Sequence, residues 1–243
     1  RVGKREIEQC YLPVFEKAIM KAGAYNVMSC YNAIDGEVVA SSKYYLTDIL
    51  RGRYGLKGYV RADWGSITRL VTAHRTAANH VDAICDSVNA GLDMQGCCDY
   101  TSTFWEKTII ELVNEGRISM ERIDDAVRRV LRLKYRLGLF ETPNTPLENY
   151  PDFACEAFAQ AALHAAEETE VLLKNENGIL PLQKGQKILV TGPNANSMRC
   201  LNGGWSYTWQ GHWADRYAGQ YNTIYEAVCN KFGAKNVILE QGV

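Results

Sequence analysis

Long apolar runs and an excess of charge of one sign are both missing from this 243-residue sequence. No stretch of about 18 consecutive apolar residues occurs, so we expect no membrane-spanning helix within it. The 27 Lys and Arg residues nearly balance 28 Asp and Glu residues, which leaves a net charge of -1. Because binding to nucleic acid or anionic lipid depends on a basic surface, we expect neither as a partner.

Patterns of metal-binding and nucleotide-binding residues are missing too. The eight cysteines include no Cys-x-x-Cys pair, and the adjacent Cys97 and Cys98 suit neither a metal site nor a mutual disulfide. We therefore expect free thiols. The four histidines have no metal-ligand spacing, so the sequence predicts no metal site. No glycine-rich phosphate-binding motif follows a predicted strand, which argues against a nucleotide-binding protein.

Hydrophobic periodicity predicts an α/β fold for residues 1–140. Short apolar segments predict strands at 26–31, 58–64 and 92–94, and amphipathic segments predict helices at 6–21, 43–54, 80–89, 103–114 and 119–137. Ser119 is the expected N-cap of the last helix. The alternation favours parallel βα units. Three units are too few to close an eight-stranded barrel, so they would form the later part of one.

A second, shorter α/β segment follows a predicted linker. Residues 141–152 contain three of the six prolines and no apolar periodicity, which is typical of an interdomain linker. Beyond the linker, the sequence predicts helices at 153–174 and 223–232 and strands at 187–192 and 236–240. The expected organisation is therefore 1–140, the linker 141–152, and 153–243.

One acidic residue, Asp63, directly follows the second predicted strand. The carboxyl ends of parallel strands face the active site in barrels and open α/β sheets. Trp64 is its neighbour, and a carboxylate beside a flat apolar indole suits sugar chemistry, because the carboxylate can attack or stabilise an oxocarbenium-like carbon. Asp is also common as the N-cap of a following helix, and spacing alone leaves both interpretations open.

Tyr31 ends the preceding predicted strand in the same way, and Met28 lies three residues before it. Both side chains would lie near the same mouth as Asp63, because parallel strands end at a common edge. Met and Tyr are often buried, so packing in the core is the alternative explanation for this pair.

A series of short motifs runs in a fixed order along nearly the whole chain. These motifs are VMSCYNAIDG (27–36), LTDILR (46–51), YGLKG (54–58), YVRADWG (59–65), AGLDM (90–94), RRVLRLK (128–134), GLF (138–140), LLKN (172–175), ILPL (179–182) and TGPNA (191–195). Each is weak alone, but their order and spacing resemble those of glycoside hydrolase family 3, in particular its β-glucosidase and exo-β-glucanase branch.

The resemblance implies a (β/α)8-type, TIM-like barrel followed by an α/β sandwich domain. This chain would hold the later part of the barrel and the beginning of the sandwich domain. It implies a retaining β-glycosidase that needs no metal or organic cofactor and acts on a carbohydrate substrate. By motif position, Asp63 would be the nucleophile and form a covalent glycosyl ester. Trp64 would flank the sugar, Tyr31 would lie close to the nucleophile, and Met28 would belong to the pocket wall.

In the second segment, GGWSYTWQG (203–211) resembles a loop of the same branch in which a tryptophan contacts the sugar of the next subsite. Trp209 is the expected counterpart. Packing between domains is the alternative explanation for this cluster. A glycine-rich, polar loop that holds two tryptophans is more typical of ligand contact, because an indole combines a large apolar face with a polar N–H.

The sequence also departs from the family pattern. Ala62 stands where a Ser is usual, and Arg61 stands where an apolar residue is usual. These differences affect the fine tuning of the site rather than the identity of the nucleophile. The residues 1–6 show neither an initiator Met nor a signal peptide, and the family's earlier barrel strands and its acid/base Glu have no counterpart here. We therefore expect a fragment that is poorly stable and inactive when isolated. No acid/base residue is assigned, since Glu226 and Glu240 match no motif.

Several alternatives remain open at this stage. The same scaffold could be a β-xylosidase, an N-acetylglucosaminidase or a phosphorylase, because one hydroxyl shifts preference only about 10- to 200-fold. A sugar-binding module with a dead site is a further alternative. The compartment and oligomeric state are not determined, and only the resemblance favours a periplasmic or extracellular location.

Overall fold

The computed structural model describes residues 2–96 and 99–240 and divides the chain into two compact units, Arg1–Phe153 and Ala154–Val243. The expectation for Cys97 and Cys98 falls outside the described residues. The six other cysteines are free thiols. None of the helices in the described ranges has the length and hydropathy of a membrane span.

The strands of the first unit are short and mainly parallel. β1 (Val27–Met28) pairs in parallel with β4 (Val60–Arg61), and Arg61 forms a further parallel bridge to Met94. These three segments lie inside the predicted strands 26–31, 58–64 and 92–94. A small antiparallel hairpin of β2 (Ala33–Ile34) and β3 (Glu37–Val38) was not predicted. Because the pairing is parallel, the residues that follow β1, β4 and Met94 lie at the same edge.

Helices surround these strands, and most begin and end where the sequence predicts. They are α1 (Lys4–Glu6), a π-helix Ile7–Tyr11, α2 (Leu12–Met20), a 3-10 turn Val39–Ser41, a π-helix Tyr44–Arg53, α3 (Arg69–Thr72), α4 (His80–Ala90), α5 (Ser102–Asn114), α6 (Met120–Arg136) and a 3-10 turn Leu147–Asn149. Ser119 caps α6 by accepting a hydrogen bond from the Arg122 amide, as predicted. Gly91 ends α4 with a φ of 120°, a conformation that other residues rarely adopt.

The core of the first unit lies between the strands and these helices. Its fully buried side chains include Leu46, Leu56, Val60, Ile84 and Leu92. Beside this core, the Asp93 carboxylate is 0% exposed and accepts hydrogen bonds from Arg51 at 2.6 Å, Arg122 at 2.7 Å and the Val60 amide at 2.8 Å. This ion pair cluster ties the start of β4 to two helices, so Asp93 of the AGLDM motif has a structural role.

The second unit is also a mixed α/β structure. β5 (Ile188–Thr191) and β6 (Val237–Glu240) pair in parallel over four residues each. Its helices are α7 (Glu156–Thr169), 3-10 turns Glu176–Gly178 and Ala234–Asn236, α8 (Met198–Leu201), α9 (Ala214–Tyr217) and α10 (Ile224–Phe232). α7 is shorter than the predicted helix 153–174. Thr223 and Glu226 form a reciprocal capping box that fixes the start of α10.

Candidate active site

Asp63 lies two residues beyond β4 and is half-buried. Its Oδ1 accepts a hydrogen bond from the Tyr31 hydroxyl at 2.9 Å and another from the Trp64 amide at 2.6 Å. The structure therefore brings together three of the residues singled out from the sequence. They meet because β1 and β4 run parallel and end at the same edge.

The structure does not support the alternative in which Asp63 caps the next helix. That helix, α3, begins at Arg69, and its N-cap position is occupied by Thr68. The carbonyl oxygen of Asp63 instead accepts a hydrogen bond from the Ser66 amide at 3.1 Å, which closes a tight turn. Gly65 has a φ of 75° in this turn, so the sharp bend after Trp64 depends on a glycine. The Asp63 side chain is thus turned toward Tyr31 rather than toward the helix.

Two neighbours hold Tyr31 in place. The guanidinium of Arg69 lies 4.6 Å from the centre of the Tyr31 ring, within cation–π distance, and His74 Nε2 lies 2.8 Å from the Tyr31 carbonyl oxygen. Desolvation, together with the hydrogen bond and charge of Asp63, raises the pKa of Tyr31 above its usual value. The phenol therefore stays protonated at neutral pH and can donate to the carboxylate. Sequence analysis did not identify Arg69 or the role of His74.

Trp64 and Met28 both present apolar surface to solvent. Trp64 is 39% exposed beside Asp63, and its contact with a sugar stays a prediction. Met28 is 54% exposed and lines a groove of about 460 Å³ with Leu12, Phe15 and Ile34. Its role as part of a sugar pocket stays a prediction.

A further carboxylate at this edge, Asp99, was missed by sequence analysis. It is 7% exposed, and its two oxygens accept hydrogen bonds from the backbone amides of Ile67, Thr68 and Gly96. Burial raises the pKa of Asp99, and the three amide bonds oppose that shift. The signal that could have found it is its position five residues after Met94, where the third parallel segment ends.

Trp209 belongs to the second unit and is 48% exposed. The loop that carries it is closed by a hydrogen bond from the Trp205 amide to the Trp209 carbonyl oxygen at 2.8 Å. At Gly211, where φ is 68°, an added Cβ would lie 2.4 Å from the Gly203 carbonyl oxygen, so the two ends of the loop approach closely. This loop presents its tryptophans from a defined backbone rather than from an extended tail.

The described residues contain no group of three or more His, Cys, Asp and Glu side chains that could hold a metal ion. Of the two carboxylates that matched no motif, Glu226 accepts a hydrogen bond from the Thr223 amide within its capping box. Glu240 ends β6.

Comparison with known proteins identifies the family. Residues 1–133 match the glycosyl hydrolase family 3 N-terminal domain, and residues 170–241 match the family's C-terminal domain. The chain therefore belongs to glycosyl hydrolase family 3, which confirms the resemblance drawn from its motifs.

Three proteins to which the chain is similar are β-glucosidases. A lysosomal β-glucosidase of Dictyostelium discoideum is 38% identical over 88% of this chain and 26% of its own length. A periplasmic β-glucosidase of Salmonella typhimurium is 35% identical over 92% of this chain and 28% of its own length. The crystal structure of a β-glucosidase from Listeria innocua in complex with glucose matches with a TM-score of 0.79 and 32% identity, over 100% of this chain and 31% of that chain. The chain thus spans about a quarter to a third of the length of these relatives.

Proposed function

We propose that this chain carries the nucleophile part of a retaining β-glucosidase site, with Asp63 as the nucleophile. The observation that carries the proposal is the setting of the Asp63 carboxylate. It follows β4, accepts hydrogen bonds from Tyr31 and Trp64, and lies beside an exposed indole. The β-glucosidase relatives support a β-linked, gluco-configured substrate.

The reaction proceeds by two displacements. In the first, an oxygen of Asp63 attacks the anomeric carbon while a general acid protonates the leaving oxygen, and a glycosyl–Asp63 ester forms. In the second, water attacks the same carbon with the former acid acting as base, and the sugar leaves with its configuration retained. No residue of this chain is assigned the acid/base role.

Four other residues are proposed substrate neighbours. Trp64 offers its indole face to the C–H side of the sugar, and Tyr31 orients the nucleophile through its hydroxyl. Met28 contributes an apolar wall, and Trp209 is the proposed contact to the sugar of the next subsite.

The proposed architecture is the later part of a (β/α)8-type barrel in residues 1–140 and the start of an α/β sandwich in residues 153–243, joined by the linker 141–152. The parallel order of β1, β4 and Met94 supports the first part, and the parallel pair β5–β6 supports the second.

Covalent trapping tests the proposal. The full-length gene product is incubated with a 2-deoxy-2-fluoro-β-glucosyl inactivator, and the labelled peptide is mapped by mass spectrometry. We expect a fluoroglucosyl adduct on Asp63 and its loss in Asp63→Ala. Asp48→Asn, which replaces a carboxylate that is 52% exposed, is the matched control and should label normally.

Each other outcome has a definite meaning. A catalytically active protein labelled on a different carboxylate contradicts the role of Asp63. Turnover of an aryl β-xyloside in preference to the β-glucoside contradicts the substrate class. Glycan binding without turnover of any aryl β-glycoside contradicts an active hydrolase.

A further inference from the structure

Asp99 links two chain segments through backbone amides alone. One oxygen accepts hydrogen bonds from the Ile67 amide at 2.9 Å and the Thr68 amide at 3.1 Å, and the other accepts from the Gly96 amide at 3.1 Å. The first two donors belong to the turn that begins at Asp63. The third belongs to the segment that follows the parallel bridge at Met94.

Two backbone amides at the end of the turn after Asp63, those of Ile67 and Thr68, depend on this carboxylate as their acceptor. The first amides of a helix have no partner within it, and α3 is only four residues long. The bonds from the Ile67 and Gly96 amides to Asp99 are buried, so water does not readily replace a lost acceptor there. Removing the acceptor would leave buried N–H groups without a partner, which is costly.

Gly96 contacts the other side of the same turn. A Cβ at position 96 would lie 2.5 Å from the Asp63 carbonyl oxygen and 3.0 Å from Asp99 Oδ2. The backbone of Asp63 therefore rests directly against Gly96, while the carboxylate of Asp99 draws the turn and Gly96 together.

We infer that Asp99, acting with Gly96, is a positioning residue that fixes the nucleophile turn and so the placement of the Asp63 carboxylate against Tyr31. This inference rests on the proposed role of Asp63. A displacement of about 1 Å at a reacting group can lower a rate about 100-fold. The effect should therefore appear in the chemical step rather than in sugar binding.

Two substitutions of Asp99 in the full-length protein give a graded test. Asp99→Ala removes both acceptor oxygens and with them all three hydrogen bonds. Asp99→Asn keeps one oxygen that can accept from Ile67 and Thr68, but its NH2 group faces the Gly96 amide. We expect the first-order constant for trapping of Asp63 by the fluoroglucosyl inactivator to fall about 100-fold in the Ala variant and about 10-fold in the Asn variant. The binding constant of the inactivator should change less than about 3-fold in both.

A matched control separates positioning from stability. Asp93→Asn alters another fully buried carboxylate, which contacts the Val60 amide three residues before Asp63. It should lower the melting temperature at least as much as Asp99→Asn, while its folded fraction is trapped at the wild-type rate. Equal loss of trapping in both variants would mean that general destabilisation explains the effect and would overturn the inference.

Gly96→Ala provides a test that keeps the carboxylate of Asp99. Its Cβ pushes on the Asp63 carbonyl oxygen, so we expect trapping to slow at least about 10-fold with unchanged inactivator binding. If the Asp99 variants do not fold, this variant decides, and a wild-type trapping rate would overturn the inference. The inference is also overturned if the wild-type protein labels at Asp63 and both Asp99→Asn and Asp99→Ala are trapped at the wild-type rate. Wild-type protein that never labels at Asp63 overturns the proposed function itself, and this assignment with it.

Discussion

Replacement of Tyr31 by Phe should separate the two chemical steps of the proposed reaction. The Tyr31 hydroxyl donates to Asp63 Oδ1 at 2.9 Å, and the raised pKa of the phenol keeps this donor protonated. A hydrogen bond to a charged group contributes about 1.5–3 kcal/mol. In the second step, Asp63 regains its negative charge as the ester breaks, so this bond strengthens toward the transition state. Losing it should slow deglycosylation about 10- to 150-fold.

The first step responds differently, because Asp63 begins it charged and loses charge as the ester forms. The lost hydrogen bond destabilises the free carboxylate at least as much as the transition state, so kcat/KM should change much less than kcat. With an activated aryl β-glucoside, kcat and KM of Tyr31→Phe should fall together, and a burst of phenol should precede the steady state. Stopped-flow absorbance of the released phenol measures both phases.

Tyr44→Phe is the matched control for this experiment. It removes a hydroxyl that donates to a different carboxylate, Glu8, at 3.3 Å, and it should leave both kinetic phases unchanged. If Tyr31→Phe lowers kcat/KM as much as kcat and shows no burst, the hydroxyl does not act on the charge of Asp63 as argued here.

Three further predictions concern stability, and chemical denaturation of the full-length variants measures each. Asp93→Ala should lower the free energy of unfolding by about 3–5 kcal/mol, because two largely buried arginines lose their buried partner and keep only the more exposed Asp125; a loss below about 1 kcal/mol would contradict this. Gly58→Ala should lower the free energy of unfolding by more than ordinary overpacking does, which is about 1–3 kcal/mol. The reason is that its Cβ would lie 1.6 Å from the Tyr25 carbonyl oxygen. An unfolding transition like that of the wild type would refute this close approach. Thr223→Ala should cost about 1 kcal/mol through the lost cap of α10, whereas Glu226→Gln should cost less because an amide oxygen still accepts there.

Local sequence signals predicted the elements that carry the site. The predicted strand 58–64 contains β4, the predicted helix 80–89 matches α4 (His80–Ala90), and Ser119 caps α6. Such signals succeed because apolar periodicity, N-caps and glycines act over a few residues. The rule that parallel strands end at a common edge then placed Tyr31 near Asp63, although 32 residues separate them.

The contacts of Asp99 follow from no local signal. Its partners Ile67 and Thr68 lie 32 and 31 residues away and contribute only backbone amides, which every sequence carries. The edge rule, applied to the predicted strand 92–94, could have placed Asp99 near Asp63, but Asp99 lies five residues beyond Met94 and nothing in those residues indicates which groups its carboxylate contacts. The π-helical geometry of Tyr44–Arg53 was likewise not predicted, since the apolar periodicity there indicates an ordinary helix.

Asp63 and Asp93 show how the proposed nucleophile differs from a structural carboxylate in the same fold. Asp63 lies two residues beyond β4, and Asp93 directly precedes the parallel bridge at Met94, so each lies on or next to a parallel segment. Asp93 is 0% exposed, and two guanidinium groups and an amide neutralise it and occupy both of its oxygens. Asp63 is half-buried, and its donors in the described chain, a phenol and an amide, are neutral and both fall on Oδ1. In the proposed reaction, Oδ2 is therefore the oxygen that attacks the anomeric carbon, because both described donors bind Oδ1.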